Sequence, residues 1–433
     1  MDTREKYARY VTTSFSAGLE PIVIERAEGA YVTDDQGRRY LDCFAGISVV
    51  NAGHGHPAVR EAAKRQIDQL IHCSSYTYFV QPVADLAERL AGVTPGQLQK
   101  TFFSNSGAEA IEAALRLAKV YTGRREFIAL ERSFHGRTFA TLGITGNMSR
   151  KTRGGPYAGG IAFAPAPYTY RSLFGDDPAL VGERAAQAVE EVIRFHTSDD
   201  VAAFIIEPVM GEGGIIVPPA AYLPRVKEIL DRHGILLIAD EVQSGFGRTG
   251  KLFAIEHFGV EPDILVMAKG IADGFPLGAT IARAEIADSF HPGEHLSTFG
   301  GNPVVCAAAL ANLDVMLAED LPGQAAAKGA TALATLEARR DRLPAIGEVR
   351  GLGLMIGIEL VKDRGTREPD AALARQVRQA CREHGVLIGV GGTEGNVLRL
   401  QPPLIITPED LAGALDTVAS AIETLSAVPT HTA

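Results

Sequence analysis

Three short apolar runs in this 433-residue chain each end on an ionisable residue. Ala203-Phe204-Ile205-Ile206 leads into Glu207, Ile235-Leu236-Leu237-Ile238-Ala239 into Asp240, and Ile264-Leu265-Val266-Met267-Ala268 into Lys269. Uninterrupted apolar runs of this length predict strands buried on both faces, as in a parallel sheet covered by helices. Ligands of open α/β sheets bind outside the carboxyl ends of the strands, so two carboxylates and an amine are expected at one sheet edge. A lysine in a partly dry crevice favours its neutral amine and can condense with an aldehyde. The competing reading is an ordinary surface lysine after a strand. Asp240, 29 positions earlier (269 − 240), favours the first, because a buried carboxylate requires a positive partner. A protonated pyridine nitrogen is such a partner, and the pairing makes its ring an electron sink.

A third part lies upstream. Ser104-Asn105-Ser106-Gly107-Ala108-Glu109-Ala110 stands at the start of a helix expected from about Ala108 to Tyr121, with Ile111, Ala114, Leu115 and Ala118 on one face. Free N–H groups and the dipole at such a start favour an anion, and Gly107 permits close approach. Read alone, the same residues are a helix cap. A phosphate cup, a carboxylate for a ring nitrogen and a lysine for an aldehyde together describe pyridoxal 5′-phosphate.

These residues need a scaffold. Tyr222, Leu223, Val226, Ile229 and Leu230 carry a helical period that closes at His233-Gly234, giving a strand–helix–strand unit between the first two runs. Another helix is expected over about 180–195. Near the N-terminus, Ala30-Tyr31-Val32-Thr33 and Arg39-Tyr40-Leu41-Asp42 flank a turn at Asp35-Gln36-Gly37. Towards the C-terminus, residues 351–360 read as one strand with glycines in close packing, followed by a helix at about 371–384 and short strands at Val386-Leu387-Ile388 and Val397-Leu398-Arg399-Leu400. The fold class is α/β: a large domain over 61–320 with a mostly parallel sheet, and a smaller α+β domain built from residues 1–60 and 321–433. Pro429-Thr430-His431-Thr432-Ala433 is expected to fray.

Composition narrows the partners. Hydrophobic residues make up 46% of the chain, and 52 acidic against 42 basic side chains leave a net charge of −10, which argues against a nucleic-acid surface. Cys43, Cys73, Cys306 and Cys381 are scattered, as in a reduced protein. The charged N-terminus does not read as a secretory signal, and no run has the roughly 18 apolar residues of a membrane span. A cytoplasmic location is expected. His54-Gly55-His56 has no companion ligands at metal-binding spacing, so no metal is expected. Gly351-Leu352-Gly353 lacks the further glycine of a dinucleotide site.

Asp240-Glu241-Val242-Gln243-Ser244-Gly245-Phe246-Gly247-Arg248-Thr249-Gly250, then Met267-Ala268-Lys269-Gly270 and Gly274-Phe275-Pro276-Leu277-Gly278, closely resemble the class III aminotransferases. These are fold-type I pyridoxal-phosphate enzymes that include 4-aminobutyrate, ornithine and acetylornithine aminotransferases, and the resemblance runs from about Ala45 to Pro403. It implies that Lys269 binds the cofactor aldehyde and later shuttles a proton. It further implies that Asp240 pairs with the ring nitrogen, Gln243 bonds the ring hydroxyl, and Ser106, Gly107 and Ala108 hold the phosphate. Phe134, in Ser133-Phe134-His135-Gly136-Arg137-Thr138, would stack on the ring, and Glu207 belongs to the same binding set. His135 is usually structural in this family. Thr298, in Leu296-Ser297-Thr298-Phe299-Gly300-Gly301, matches a threonine that reaches the phosphate of a neighbouring subunit, implying a homodimer that could pair into a dimer of dimers.

Substrate recognition is implied for Arg137, Arg399, Glu207 and Glu212. In the 4-aminobutyrate and ornithine enzymes a glutamate matching Glu212 neutralises an arginine matching Arg399 while an ω-amine donor is bound. The pair opens for the α-carboxylate of glutamate or 2-oxoglutarate, while the counterpart of Arg137 takes the distal carboxylate. A purely structural Glu212–Arg399 ion pair is the alternative. The expected function is ping-pong transamination from an ω-amino or diamino acid to 2-oxoglutarate. Acetylornithine and alanine–glyoxylate transamination, racemase or aminomutase chemistry, and a non-catalytic binding role compete with it. Arg137 weighs against glyoxylate, which has no distal carboxylate, and Lys269, Asp240 and Gln243 weigh against a non-catalytic role.

Overall fold

The computed structural model describes residues 1–14 and 19–427, so the expected frayed tail from Pro429 to Ala433 lies outside the described residues. Near the N-terminus β1 (Ile24–Glu28), β2 (Tyr31–Asp34) and β3 (Arg39–Asp42) form an antiparallel meander. The expected turn joins the last two: Gly37 sits at φ +79°, and Asp34 Oδ1 accepts from the Gln36 and Arg38 amides at 3.0 and 2.9 Å.

Seven strands make the central sheet: β4 (Lys100–Ser104), β5 (Glu126–Leu130), β6 (Ile161–Ala164), β7 (Val201–Ile206), β8 (Leu236–Asp240), β9 (Ile264–Met267) and β10 (Gly278–Ala282). Their order is β4-β10-β9-β8-β7-β5-β6, with β10 antiparallel to both neighbours and every other pairing parallel. Two successive reversals return β4 to the direction of β9. The carboxyl ends of β4, β5, β7, β8 and β9 therefore open on one edge.

Every residue of β7, β8 and β9 is buried, which is why these runs show no polar alternation. Successive side chains still divide between two faces. Ala203, Ile205, Ile238 and Val266 pack with Ile111, Ala114 and Leu115 of the helix Gly107–Thr122. Phe204, Ile206, Leu237 and Leu265 join Val189 of the helix Pro178–His196 and Val226 of the helix Tyr222–His233. The last of these helices ends on Gly234 at φ +63°, the left-handed cap expected from its sequence.

In the C-terminal part, β11 (Ile346–Leu352), β12 (Met355–Leu360), β13 (Val386–Leu387), β14 (Gly389–Gly391) and β15 (Val397–Leu400) complete the strands. Here the sequence reading needs correction: residues 351–360 are not one strand. They hold the turn of the β11–β12 hairpin, because Gly353 takes φ +52° against the backbone of Thr249 and Gly250, where a Cβ would come within 2.5 Å. Residues 386–388 likewise divide. Val386 pairs in parallel with Leu41 of β3, whereas β14, beyond Ile388, joins β15 in a second four-stranded sheet. From this joining of both chain ends we propose that residues 1–60 and 321–433 form one smaller domain beside a larger one of 61–320. No helix among the described residues is long and apolar enough to cross a membrane.

Arg248, in the loop after β8, is fully buried and ties three distant segments together. Its Nη1 donates to the carbonyls of Leu354 (3.1 Å) and Pro402, and its Nη2 to Asn51 Oδ1 (2.6 Å). Burial pushes this guanidinium down to about 9, and neutral acceptors hold it in place. Arg248→Met would strand three buried acceptors, each worth about 1–3 kcal/mol when unpaired, so a stability loss of about 3 kcal/mol or more is expected in chemical denaturation. A loss below about 1 kcal/mol would show that the contact is incidental.

Candidate active site

Adjacent strands β7, β8 and β9 deliver Glu207, Asp240 and Lys269 side by side at the open edge. Asp240 closes β8 and is 3% exposed. Its Oδ1 accepts from the Val242 amide at 3.1 Å, and its Oδ2 lies 2.7 Å from Nδ1 of buried His135. Glu207 is braced by backbone: Oε1 accepts from the Phe134 amide at 2.8 Å and Oε2 from the Gly211 amide at 2.9 Å. Burial pushes the Glu207 carboxyl up to about 7; His135 opposes that rise and Asp240 adds to it. With both oxygens engaged, Glu207 fixes the chain at Phe134 and the start of the loop carrying Glu212.

Lys269 stands just past β9 with φ +50°, a backbone state that a side chain other than glycine rarely adopts. Asn312, fully buried, holds this turn by donating to the carbonyls of Gly270 (2.8 Å) and Ile271 (3.1 Å). Burial lowers the Lys269 ammonium below its usual range, against the opposing pull of Asp240 and Glu207. The neutral amine is the form that attacks an aldehyde.

The helix Gly107–Thr122 begins at the same edge. Ser106 caps it, accepting from the Glu109 amide at 3.2 Å, while the first amides of the helix remain at its open end. A Cβ on Gly107 would come within 2.9 Å of Val242, so this corner admits glycine alone without a shift. Ser106, Gly107, Ala108, Phe134, Arg137, Glu207, Glu212, Asp240, Gln243, Lys269 and Arg399 all line one cavity of about 580 Å³. Thr298 does not; it is exposed on a separate loop.

At the other side of the cavity, Arg399 projects from β15 and is 4% exposed. Its Nη1 donates to Glu212 Oε2 at 2.9 Å, its Nη2 to the Val390 carbonyl at 3.2 Å, and its guanidinium lies 5.2 Å from the Phe44 ring centre. Gly391 leaves room for it, since a Cβ there would meet Arg399 Nε at 2.6 Å. Burial alone would raise the Glu212 carboxyl, but Arg399 and a second arginine, Arg150, hold it below the ordinary range. Arg137 stands over Phe134, its guanidinium 5.4 Å from the ring centre, and is exposed.

The residues present fit pyridoxal phosphate. Gln243 Oε1 is buried without a partner among the described residues, Asp240 keeps an acidic group at the cavity wall, and Gly107 clears the helix start for an anion. Sequence reasoning missed Arg150 and Asn312 as parts of this site, and treated His135 as structural without its bond to Asp240. Only His135 carried a signal, a polar residue inside the Phe134–Arg137 motif; the other two become legible only when distant segments meet.

Fold and site together define an enzyme of amine and aldehyde chemistry. Residues 14–422 match the family model for class III aminotransferases. The acetylornithine aminotransferase of Methanopyrus kandleri is 43% identical over 98% of this chain and 99% of its own length. A leucine/methionine racemase of Thermococcus litoralis is 39% identical, covering 96% and 94%. Among solved structures, an amine transaminase from an uncultivated Pseudomonas species in its PLP-bound form is 38% identical, with a TM-score of 0.89 over 94% of this chain and 95% of that one. The chain belongs to the class III aminotransferases, and its cofactor is pyridoxal 5′-phosphate.

Borohydride reduction of the cofactor-loaded protein is expected to leave a pyridoxyl group on the peptide containing Lys269, and Lys269→Ala should leave none there. Because the Lys269 amine is neutral at lower pH than an ordinary lysine, loading of the cofactor-free protein should saturate at a lower pH than modification of exposed lysines. A label on another lysine would overturn the assignment.

Proposed function

We propose that the enzyme moves an amino group from the terminal amine of an ω-amino or diamino acid to 2-oxoglutarate in two alternating half-reactions. The observation that carries this reading is the Glu212–Arg399 pair inside the cavity that also holds Lys269 and Arg137. Pyridoxal phosphate, when bound, supplies an aldehyde for the amine and a ring that accepts electron density from the reacting carbon. Ser106, Gly107 and Ala108 would hold its phosphate, Gln243 its ring hydroxyl and Phe134 a ring face. Asp240, oriented by His135, would keep the ring nitrogen protonated. Lys269 Nζ would take the proton from the substrate carbon and hand it to the cofactor's aldehyde carbon, in a site whose burial favours the neutral amine.

The arginines sort the two substrates. A terminal-amine donor has no carboxylate at its reacting carbon, so a bare Arg399 beside it would be a buried charge without a partner. Glu212 neutralises it. Glutamate or 2-oxoglutarate brings its own α-carboxylate, which replaces Glu212 on Arg399 while Arg137 grips the distal carboxylate. The acetylornithine name of the Methanopyrus kandleri relative supports a donor that reacts through a terminal amine. Glu212→Ser should keep or improve the single-turnover half-reaction with glutamate and slow that with 4-aminobutyrate, ornithine or acetylornithine. Equal loss in both would make the pair structural. Rapid α-proton exchange of an amino acid without any keto acid would instead favour a racemase.

We also read the enzyme as a homodimer, and its four unpaired cysteines, three of them buried, support a reducing compartment such as the cytoplasm. Thr298 lies outside the cavity of its own chain, beside exposed Phe299, and an apolar groove of Ile67, Ile71, Phe299 and Val305 is left open. A second copy covering that groove would bring Thr298 to the phosphate of its neighbour. Phe299→Asp is expected to give monomers by sedimentation and to lower cofactor affinity at the same time. Dimers that bind the cofactor normally would refute this arrangement.

A further inference from the structure

Arg150 is absent from the cavity wall, yet it holds the carboxylate on which the proposed exchange turns. It ends a 3₁₀ turn, Met148–Arg150, whose place is set from two sides. Buried Asn147 caps the turn by accepting from the Ser149 amide at 3.2 Å, and the Asn147 amide donates to the Ser133 carbonyl at 3.0 Å. Gly146 lies so near the end of β5 that a Cβ would fall 2.0 Å from the Leu130 carbonyl oxygen. Arg150 is thereby anchored to the segment that carries Phe134 and Arg137.

Its Nη2 donates to Glu212 Oε1 while Arg399 Nη1 donates to Oε2, so each oxygen of Glu212 has its own arginine. Two guanidiniums and one carboxylate leave the group one negative charge short. An arriving α-carboxylate supplies that charge, and two separate ion pairs result. The arginines are not equivalent: Arg399 lines the cavity and its side chain is 5% exposed, whereas that of Arg150 is 32% exposed. Arg399 is therefore the member that receives a substrate.

We propose that Arg150 is the resting partner of Glu212 in the open state, holding its carboxylate when a substrate α-carboxylate takes Arg399. The proposal rests on the carboxylate exchange at Arg399 proposed for the two half-reactions, and names the residue that sets its balance. Without Arg150, releasing Arg399 would leave an enclosed carboxylate with no counter-charge, which strongly opposes opening. The closed state would lose less, because Arg399 still pairs with Glu212 there. Arg150 is a positioning residue that acts on substrate only through Glu212.

The test uses unreactive ligands on the cofactor-loaded enzyme: glutarate, whose two carboxylates need both Arg399 and Arg137, and pentanoate, whose single carboxylate takes Arg137 and leaves the Glu212–Arg399 pair closed. Binding is measured by calorimetry in the wild type, Arg150→Met, Arg150→Lys, Glu212→Gln and the Glu212→Gln/Arg150→Met pair. Arg150→Met should weaken glutarate by about tenfold or more and pentanoate by less than about threefold, with Arg150→Lys in between. In the Glu212→Gln background, Arg150→Met should add almost nothing, because no carboxylate remains to be held. The KM for 2-oxoglutarate should rise in parallel, with kcat changed far less. Equal weakening of both ligands, or the same loss in the Glu212→Gln background, would overturn the role of Arg150. If Glu212→Gln alone leaves the preference between the two ligands unchanged, the exchange itself fails, whatever Arg150 does.

Discussion

The structure depends on keeping charge at a dry sheet edge. β7, β8 and β9 are buried along their whole length, and neighbouring strands lie about 4.8 Å apart, so their terminal residues share one low-dielectric rim. No ionised group there is stable without a partner. Glu207 receives two backbone amides, Asp240 receives His135, and Lys269 stands within the field of both carboxylates. Each partnership also fixes a position. The bonds that make the charges tolerable hold Phe134 and the Glu212 loop where a ring and a substrate would need them.

The same edge shows how backbone strain is maintained. Lys269 at φ +50° would relax if its turn were free, yet Asn312 holds the two following carbonyls from a separate helix, Pro303–Ala318. Gly270 is equally confined, for a Cβ there would lie 2.5 Å from Asn51 Nδ2. Asn51 is in turn bonded to Arg248, so the turn carrying the lysine is tied to the contact that joins both chain ends to the centre. Packing far from the cavity thus determines where the amine stands.

Much of this was legible in the sequence because it was written in local pattern. Buried parallel strands need continuous apolar runs, and the residue closing each run must lie at the rim, so Glu207, Asp240 and Lys269 could be read together. The helix from Gly107 and the left-handed cap at Gly234 were legible for the same reason. The contacts that escaped depend on chain distance. His135 meets Asp240 across 105 positions and Arg150 meets Glu212 across 62, and no local periodicity records either contact. The reading of residues 351–360 as one strand failed because Gly353 was taken as a close-packed strand glycine, whereas packing against Thr249 and Gly250 bends it into a turn.

The way the Glu212 loop is anchored limits how its ion pair can open. Arg350, on β11, donates from Nε to the carbonyls of Gly214 (3.0 Å) and Ile215 (3.1 Å) and from Nη2 to Gly214 (2.6 Å). Glu348 and Glu359 hold that guanidinium at 2.6 and 2.7 Å. The Gly392 amide, just past β14, donates to the Glu212 carbonyl at 3.1 Å. The backbone of the loop is therefore fastened to the very sheet from which Arg399 projects. The same loop is tied to β7 through the Gly211 amide on Glu207 Oε2, so a rigid shift of that sheet is opposed and the 2.9 Å contact is held from both sides. The separation proposed for the two half-reactions would fall instead to rotation of the Glu212 side chain about a fixed backbone. A rotating carboxylate in an enclosed site needs a second cation within its reach, and the only other guanidinium bonded to it among the described residues is that of Arg150.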